Sequence, residues 1–124
     1  MELFNCFDLH LNGLGSFPNL KRPRVIYVGM RAPAALEALQ RGIESASSRL
    51  GYGAEARGFS PHLTIGRVKQ NVTATEQQTI RHALADTKID SLGTARVNSV
   101  ELFKSDLKPT GSVYTRLYSA PLKK

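Results

Sequence analysis

The stretch FSPHLTIGRV, residues 59–68, carries a histidine and a threonine two positions apart, followed by an arginine three positions further on. Its proline cannot donate a hydrogen bond to a sheet, which favours a strand that begins at the histidine. Because side chains alternate along a strand, His62 and Thr64 share one face, whereas Leu63 and Ile65 face the other way into a core. A histidine beside a hydroxyl on an open sheet face can move a proton and hold an oxyanion.

Arg67 is the third candidate in this stretch. On an ideal strand it points away from His62, so a bulge or the strand end must redirect it; otherwise it is a surface cation. Imidazole can act as general base or acid near neutral pH, and hydroxyl and guanidinium groups bind phosphoryl oxygens. A lone histidine on a strand is more often structural or solvated, so only the combination of the three residues predicts phosphate chemistry.

Length and composition restrict the class of protein. The 124 residues fit a single domain, residues 1–124, that is large enough to bury a core. One cysteine, Cys6, excludes an intrachain disulfide and predicts a reducing, cytoplasmic location. No apolar run is long enough for a membrane span, and residues 1–5 do not resemble a secretory signal.

The net charge of +7 favours anionic partners such as nucleic acid, nucleotides or other phosphate compounds. The basic residues form loose groups within residues 21–31 and 57–69, and two lysines end the chain. A solvated basic surface is the alternative interpretation.

Periodicity predicts an α+β fold with an antiparallel, concave sheet and two helices on its outer face. Strands are expected over residues 7–11, 24–30, 62–68, 95–103 and 113–118, with an irregularity in the fourth. A glycine-rich loop is expected over residues 13–19.

Both predicted helices have start or stop signals. The first begins around Arg31-Ala32-Pro33 and ends before Gly51, with an apolar stripe of Leu36, Leu39, Ile43, Ala46 and Leu50. The second begins at a Thr73–Glu76 capping box and runs over about residues 75–85, with a core face of Ile80, Ala83 and Leu84.

Other candidate residues carry less signal. His10 lies on the polar side of the first strand, and His82 is expected on the surface. The three histidines and Cys6 lack the spacing of metal ligands, so no metal or cofactor is predicted. Tyr27 and Phe59 are expected to pack in the core or on the sheet, although either could stack on a base.

The chain resembles a known family along most of its length. FxPHLTIxRV from residue 59 is similar to the second signature of the 2H phosphoesterases, specifically the RNA 2′,3′-cyclic phosphodiesterases, also called 2′-5′ RNA ligases. FxLxLxGLGxFP from residue 7 and PRVIYVG from residue 23 are similar to the family's middle strands. The region from Val100 to Tyr114 resembles its C-terminal hairpin.

This resemblance implies a bilobal fold in which two His-x-Thr motifs face each other across a groove. One histidine activates water, the other protonates the departing ribose oxygen to give a 2′-phosphate, and no metal takes part. The motif carries over to His62 and Thr64, and the phosphate-contacting arginine to Arg67; Tyr27 and Phe59 are further candidates for substrate binding.

The chain is expected to be shorter than the family at its N-terminus, because only one His-x-Thr occurs; His10-Leu11-Asn12 has asparagine in place of threonine. The expected partners are RNA ends or cyclic-phosphate nucleotides. A homodimer that places two copies of His62 across a shared groove could complete the site. The alternatives are a non-catalytic RNA- or nucleotide-binding module and an isolated lobe that acts only in assembly.

Overall fold

The computed structural model describes residues 4–31 and 33–124. Met1 to Leu3 and Ala32, which enter the predictions about the N-terminus and the first helix, lie outside this range. The elements in chain order are β1 (Phe7–Phe17), β2 (Val25–Arg31), α1 (Ala34–Arg49), β3 (His62–Arg67), α2 (Ala74–Asp86), β4 (Gly93–Val97), β5 (Ser99–Lys108) and β6 (Gly111–Pro121). This α+β arrangement confirms the predicted fold class.

Four strands form an antiparallel sheet in the order β3-β2-β1-β4, and β5 pairs with β6 in a separate antiparallel hairpin. The predicted loop over residues 13–19 is wrong, because β1 continues to Phe17. The pairing of β1 with β2 shifts register between Leu11 and Leu14, so β1 contains a bulge there. Gly13 lies at this bulge and has a φ of 81°, which favours glycine.

The predicted strand over residues 95–103 is also wrong, since β4 and β5 belong to different sheets with Asn98 between them. Val97 and Val100 both pack on the same core cluster, which two residues of opposite parity cannot do on one regular strand. The chain therefore bends at Asn98, whose carbonyl accepts a hydrogen bond from the Leu122 N–H at 2.9 Å.

The ends of the two helices agree with the predicted start and stop signals, but the predicted apolar faces are only partly buried. Pro33 is the residue before α1 rather than within its first turn, and Gly51 beyond its end has a φ of 101°. The capping box of α2 is confirmed. Only the first half of the α1 stripe is covered, since Leu50 is 78% exposed, and the predicted core residue Ala83 is exposed.

The main core cluster comprises Phe7, Leu39 and Leu122, so it joins β1, α1 and the end of the chain. Val28 on β2 is also buried. The prediction that Leu63 and Ile65 enter a core is wrong, because their exposed fractions are 45% and 57%. β3 is an edge strand of the described sheet, so a neighbouring strand flanks these side chains on one side only.

The molecule exposes much more surface than its mass predicts. Its accessible surface is 9557 Å², whereas a compact monomer of this mass is expected to expose about 6,600 Å². The exposed apolar side chains concentrate on the edge strand and on the β5–β6 hairpin, including Leu63, Ile65, Leu102, Phe103, Leu107, Val113, Tyr114, Leu117 and Tyr118. Within residues 4–31 and 33–124, neither helix has the length and hydropathy of a membrane span.

Candidate active site

A cleft of about 600 Å³ lies on the open face of the four-stranded sheet, where β3 begins. Its volume is within the range typical of small-ligand sites. Strands β1, β2 and β3, the β1–β2 turn and the loop before β3 supply its lining. The lining residues are Phe17, Pro18, Arg24, Val25, Glu55, Arg57, Gly58, Ser60, His62, Thr64 and Arg67.

A bulge in β3 brings Arg67 to the same face as Thr64. Tyr27 of β2 pairs with Thr64, but the preceding Ile26 pairs with Gly66, so Ile65 is left without a partner. This extra residue reverses the alternation, and Arg67 then pairs with Val25 on the cleft side. The redirection that the sequence required is therefore present.

The protonation site of His62 follows from its hydrogen bond. Its Nδ1 lies 2.7 Å from the backbone carbonyl oxygen of Ser60, and a carbonyl can only accept, so Nδ1 carries the proton. In the neutral imidazole, Nε2 then has the free lone pair. The bond spans only two residues and fixes both the tautomer and the ring orientation, as expected for a proton-transferring histidine.

Two aromatic rings pack around His62. The Phe17 ring meets it edge-on with centroids 4.9 Å apart, and the Tyr27 ring lies 5.3 Å away. The rings of Phe17 and Tyr27 also pack together, with centroids 4.6 Å apart. Tyr27 in turn occupies the space above Gly15, where a Cβ atom would lie only 2.4 Å from the ring. A glycine on β1 thus allows a tyrosine on β2 to support a histidine on β3.

Three arginines give the cleft its positive charge. Arg24, Arg57 and Arg67 line it together with one carboxylate, Glu55. The Arg24 guanidinium also donates to the carbonyl oxygen of Lys69 at 3.3 Å, which holds its side chain across the end of β3. The cleft therefore suits an anion with several oxygen acceptors, such as a phosphate group.

The loop that carries Arg57 is tied to α1. The carboxylate of Glu44 accepts a hydrogen bond from the backbone N–H of Glu55. The side-chain amide of Gln40 donates to the other carboxylate oxygen of Glu44 at 2.6 Å. Helix α1 thus positions the loop that closes one side of the cleft.

The structure brings together three of the five residues predicted for the site. His62, Thr64 and Arg67 all line the cleft. Tyr27 is not part of the lining but contacts the histidine ring. Phe59 lies apart from this cleft, in grooves formed with α1.

Sequence reasoning missed Phe17, Arg24 and Arg57 as cleft residues. Phe17 lies in the predicted loop, but it has the strand parity of Gly15 and therefore shares the face of Tyr27 once β1 is extended. The two arginines were noted only as members of separate basic groups, and nothing local in the sequence predicts that these groups meet.

The other histidines lie elsewhere. His10 is exposed, and its Nδ1 lies 3.1 Å from the Thr94 hydroxyl on β4. His82 is exposed on α2, as predicted. Among the residues that the structure describes, no cluster of three histidine, cysteine or acidic side chains could hold a metal ion.

A family model named 2′-5′ RNA ligase superfamily matches residues 3–109. The chain belongs to this superfamily. That membership confirms the family resemblance, which was based on the segments from residues 7 and 23 and on the His-x-Thr stretch.

Relatives of this chain include two archaeal RNA 2′,3′-cyclic phosphodiesterases. The protein of Methanothermobacter thermautotrophicus is 32% identical over 112 residues, which cover 90% of this chain and 59% of the relative. The protein of Aeropyrum pernix is 31% identical over 116 residues, which cover 93% and 64%. The chain thus spans about three fifths of the length of the curated relatives it matches.

Solved structures share the fold. A Thermus thermophilus protein has a TM-score of 0.66 and 28% identity, covering 97% of this chain and 62% of its own. Escherichia coli LigT, solved in complex with 3′-AMP, has a TM-score of 0.73 at 24% identity. The match covers 98% of this chain and 62% of LigT. The LigT similarity concerns the fold alone.

Proposed function

We propose that this chain provides one half of the active site of a 2′,3′-cyclic phosphodiesterase that acts on RNA ends or on nucleotides. The observation that carries the proposal is the arrangement around His62. Its Nδ1 proton is held by the Ser60 carbonyl, and its ring stands in a cleft with Thr64 and three arginines. The archaeal relatives named as RNA 2′,3′-cyclic phosphodiesterases support this substrate class.

The reaction needs two proton transfers on opposite sides of one phosphorus. A base removes a proton from water as the water oxygen bonds to phosphorus. The bond from phosphorus to the ribose 3′ oxygen breaks, and an acid protonates that oxygen, which leaves a 2′-phosphate. With its Nδ1 proton engaged, the Nε2 of His62 can accept a proton when neutral or donate one when charged.

The remaining predicted residues receive different support. Thr64 and Arg67 line the cleft, and we propose that they hold phosphoryl oxygens together with Arg24 and Arg57. Tyr27 acts better as a support for the His62 ring than as a direct substrate contact. Phe59 faces grooves beside α1, so its predicted contact with substrate has the least geometric support.

The test is hydrolysis of a nucleoside 2′,3′-cyclic phosphate by the purified chain, with product identified as the 2′-phosphate. Replacement of His62 by alanine should lower turnover by about 10²–10⁴-fold, the usual contribution of a general acid or base. His82→Ala is the matched control, since that histidine is exposed on α2. Equal turnover in the wild-type and His62→Ala chains would refute the proposal.

We further propose that a second copy of the chain supplies the second histidine, in a homodimer whose two His62 side chains face one groove. The accessible surface exceeds that of a compact monomer by about 3,000 Å². A stable interface needs only about 800 Å² per partner. The exposed leucines, isoleucine and tyrosines of β3 and the β5–β6 hairpin are the surface available for this contact.

Gel filtration with light scattering tests the assembly. A dimer whose turnover per chain falls on dilution below its dissociation constant is expected. A monomer at all concentrations would contradict the dimer.

The alternative function is a non-catalytic RNA- or nucleotide-binding module. It is favoured by the observation that His62 is the only histidine lining the cleft among the described residues. A salt-sensitive affinity for RNA without turnover would support this module. A bell-shaped pH profile would instead indicate two titrating groups and favour the enzyme. The location proposed for either function is cytoplasmic, in line with a single free cysteine, Cys6.

A further inference from the structure

A second groove of about 490 Å³ lies between the β1–β2 turn and helix α2. The turn supplies two cations, Lys21 and Arg22, and the helix supplies Arg81 together with two amides, Gln77 and Gln78. None of these residues takes part in the His62 cleft. The groove is thus a separate basic surface.

Both walls of this groove have a defined backbone. In the turn, the Asn19 side-chain oxygen accepts hydrogen bonds from the backbone N–H groups of Lys21 at 3.0 Å and Arg22 at 2.9 Å. Pro23, the next residue, is fully buried. On the other side, the capping box fixes the first turn of α2. The cations therefore project from two anchored segments rather than from free loops.

The charge of the groove is not neutralised by the protein. Within the part of the chain that the structure describes, Lys21, Arg22 and Arg81 have no ion-pair partner, and no carboxylate lines the groove. Glu76, near the start of α2, accepts the Thr73 backbone N–H in the capping box and is not part of the lining. Three cations with amide donors and no acceptor carboxylate form a surface suited to phosphate oxygens.

A third depression lies beside the His62 cleft. It is lined by Arg24, Val25, Arg67, Val68 and Gln70, so it shares both arginines with the His62 cleft. Arg24 is separated from Arg22 only by the buried Pro23. The backbone N–H of Val68 donates to the Arg24 carbonyl at 2.8 Å, which joins the two strands along this path. Arg22 of the second groove and Arg24 of the cleft are thus held on either side of one buried residue.

We propose that the groove of Lys21, Arg22 and Arg81 binds backbone phosphates of single-stranded RNA whose 3′ end lies in the His62 cleft. The identity of that end rests on the proposed function. The groove has no aromatic side chain in its lining on which a base could stack, so binding there is independent of sequence. The surface favours polynucleotide ends over mononucleotides.

The test compares wild-type protein with the triple variant Lys21→Ala/Arg22→Ala/Arg81→Ala. The probe is a labelled oligoribonucleotide of about a dozen residues with a 3′-phosphate end, a length typical of single-strand binding sites. Fluorescence anisotropy at low salt should show about a tenfold loss of affinity in the triple variant. The slope of log affinity against log salt should become shallower by about 2, since each released contact contributes about 0.7.

A control triple variant, Arg49→Ala/Lys88→Ala/Lys108→Ala, removes the same net charge from exposed positions outside both grooves. It should change the affinity much less. Unchanged oligonucleotide affinity in the first triple variant, or an equal loss in both, would overturn the proposal. The second result would mean that net charge alone attracts RNA.

Turnover separates the groove from the catalytic site. The Lys21/Arg22/Arg81 variant should hydrolyse a cyclic mononucleotide like the wild type and lose kcat/KM only towards a cyclic-phosphate-ended oligonucleotide. A parallel loss with the mononucleotide would refute a separate groove. If neither protein hydrolyses either substrate, the proposed function fails, but the anisotropy measurement still decides whether the groove binds RNA.

Discussion

Replacing Gly15 by alanine should impair the proposed site by displacing the Tyr27 ring, which packs against His62. Gly15 pairs with Tyr27 across β1 and β2, and a Cβ there would lie 2.4–2.7 Å from three atoms of the tyrosine ring. To reach an ordinary contact of 3.4 Å, the ring must retreat by about 1 Å. Gly15 has no positive φ, so alanine is not strained by its backbone and the effect comes from the ring alone.

The displaced tyrosine has little free space. Its ring lies 4.6 Å from Phe17 and 5.3 Å from His62, so a shift of this size must move one of these two neighbours. Overpacking of this kind costs about 1–3 kcal/mol of stability. A displacement of about 1 Å at a reacting group can lower the rate by about 10²-fold. We therefore expect Gly15→Ala to reduce hydrolysis of a cyclic nucleotide by about 10–100-fold.

Three measurements test this reasoning. Turnover should fall, the NMR signals of the His62 ring should shift, and unfolding in urea should occur at a lower midpoint. Gly66→Ala is the matched control, because nothing lies within 4 Å of its added Cβ although it is also on a strand of the site.

A double-mutant cycle isolates the ring contact. In a Tyr27→Ala background, the added methyl meets no tyrosine, so Gly15→Ala should cost little further activity or stability. If Gly15→Ala is as active as Gly66→Ala, or if its effect is undiminished without the Tyr27 ring, the positioning role of this pair is refuted.

Three further predictions follow from other contacts. Thr73→Ala should lower the free energy of unfolding by about 1 kcal/mol, measured in urea, because it removes the hydroxyl that caps α2; the neighbouring Thr75→Ala, which keeps the cap, should not. Hydrogen bonds from the Thr73 backbone and hydroxyl lower the pKa of Glu76 from its ordinary value near 4.5. The stability contributed by the ionised Glu76 carboxylate is therefore complete above pH 4.5 and is lost as pH falls through the lowered pKa. Glu76→Gln should accordingly weaken the dependence of melting temperature on pH below about 4.5. An unchanged dependence would contradict this role of the cap. Gly29→Ala places a Cβ 2.7 Å from the Asn12 carbonyl oxygen at the β1 bulge, so it should cost about 1–3 kcal/mol of stability, whereas an unaffected urea midpoint would show that the bulge can move.

Local signals in the sequence predicted the local parts of this structure. The Thr73–Glu76 capping box, the glycine beyond α1 and the strand starting at His62 all depend on residues within one turn or one strand. The hydrogen bond from His62 to the Ser60 carbonyl also spans two residues, so the geometry of the stretch proposed to be catalytic is largely local. This explains why the sequence alone was sufficient to single it out.

The failures have tertiary causes. The glycines of β1 suggested a loop, but one lies at a bulge and the other makes space for the Tyr27 ring, both within a continuous strand. Local periodicity predicts one strand across Val97 and Val100, because the bend at Asn98 depends on packing against the core rather than on a local signal. Leu63 and Ile65 alternate as core residues would, yet β3 is at the sheet edge and both side chains remain about half exposed.

The proposed chemistry depends mainly on residues that are close in sequence, whereas the proposed binding of anions depends on residues brought together by the fold. The part of the cleft that we propose transfers protons is built from adjacent residues. The part that we propose binds anions needs Arg24 from before β2, Arg57 from the loop tied to α1, and Arg67 turned by a bulge. A change in the β1–β2 turn or in the loop before β3 can therefore alter which phosphate compound binds while leaving the His62 tautomer intact. Substrate preference in this protein should accordingly vary with those two loops, and the capacity for proton transfer with the short stretch around His62.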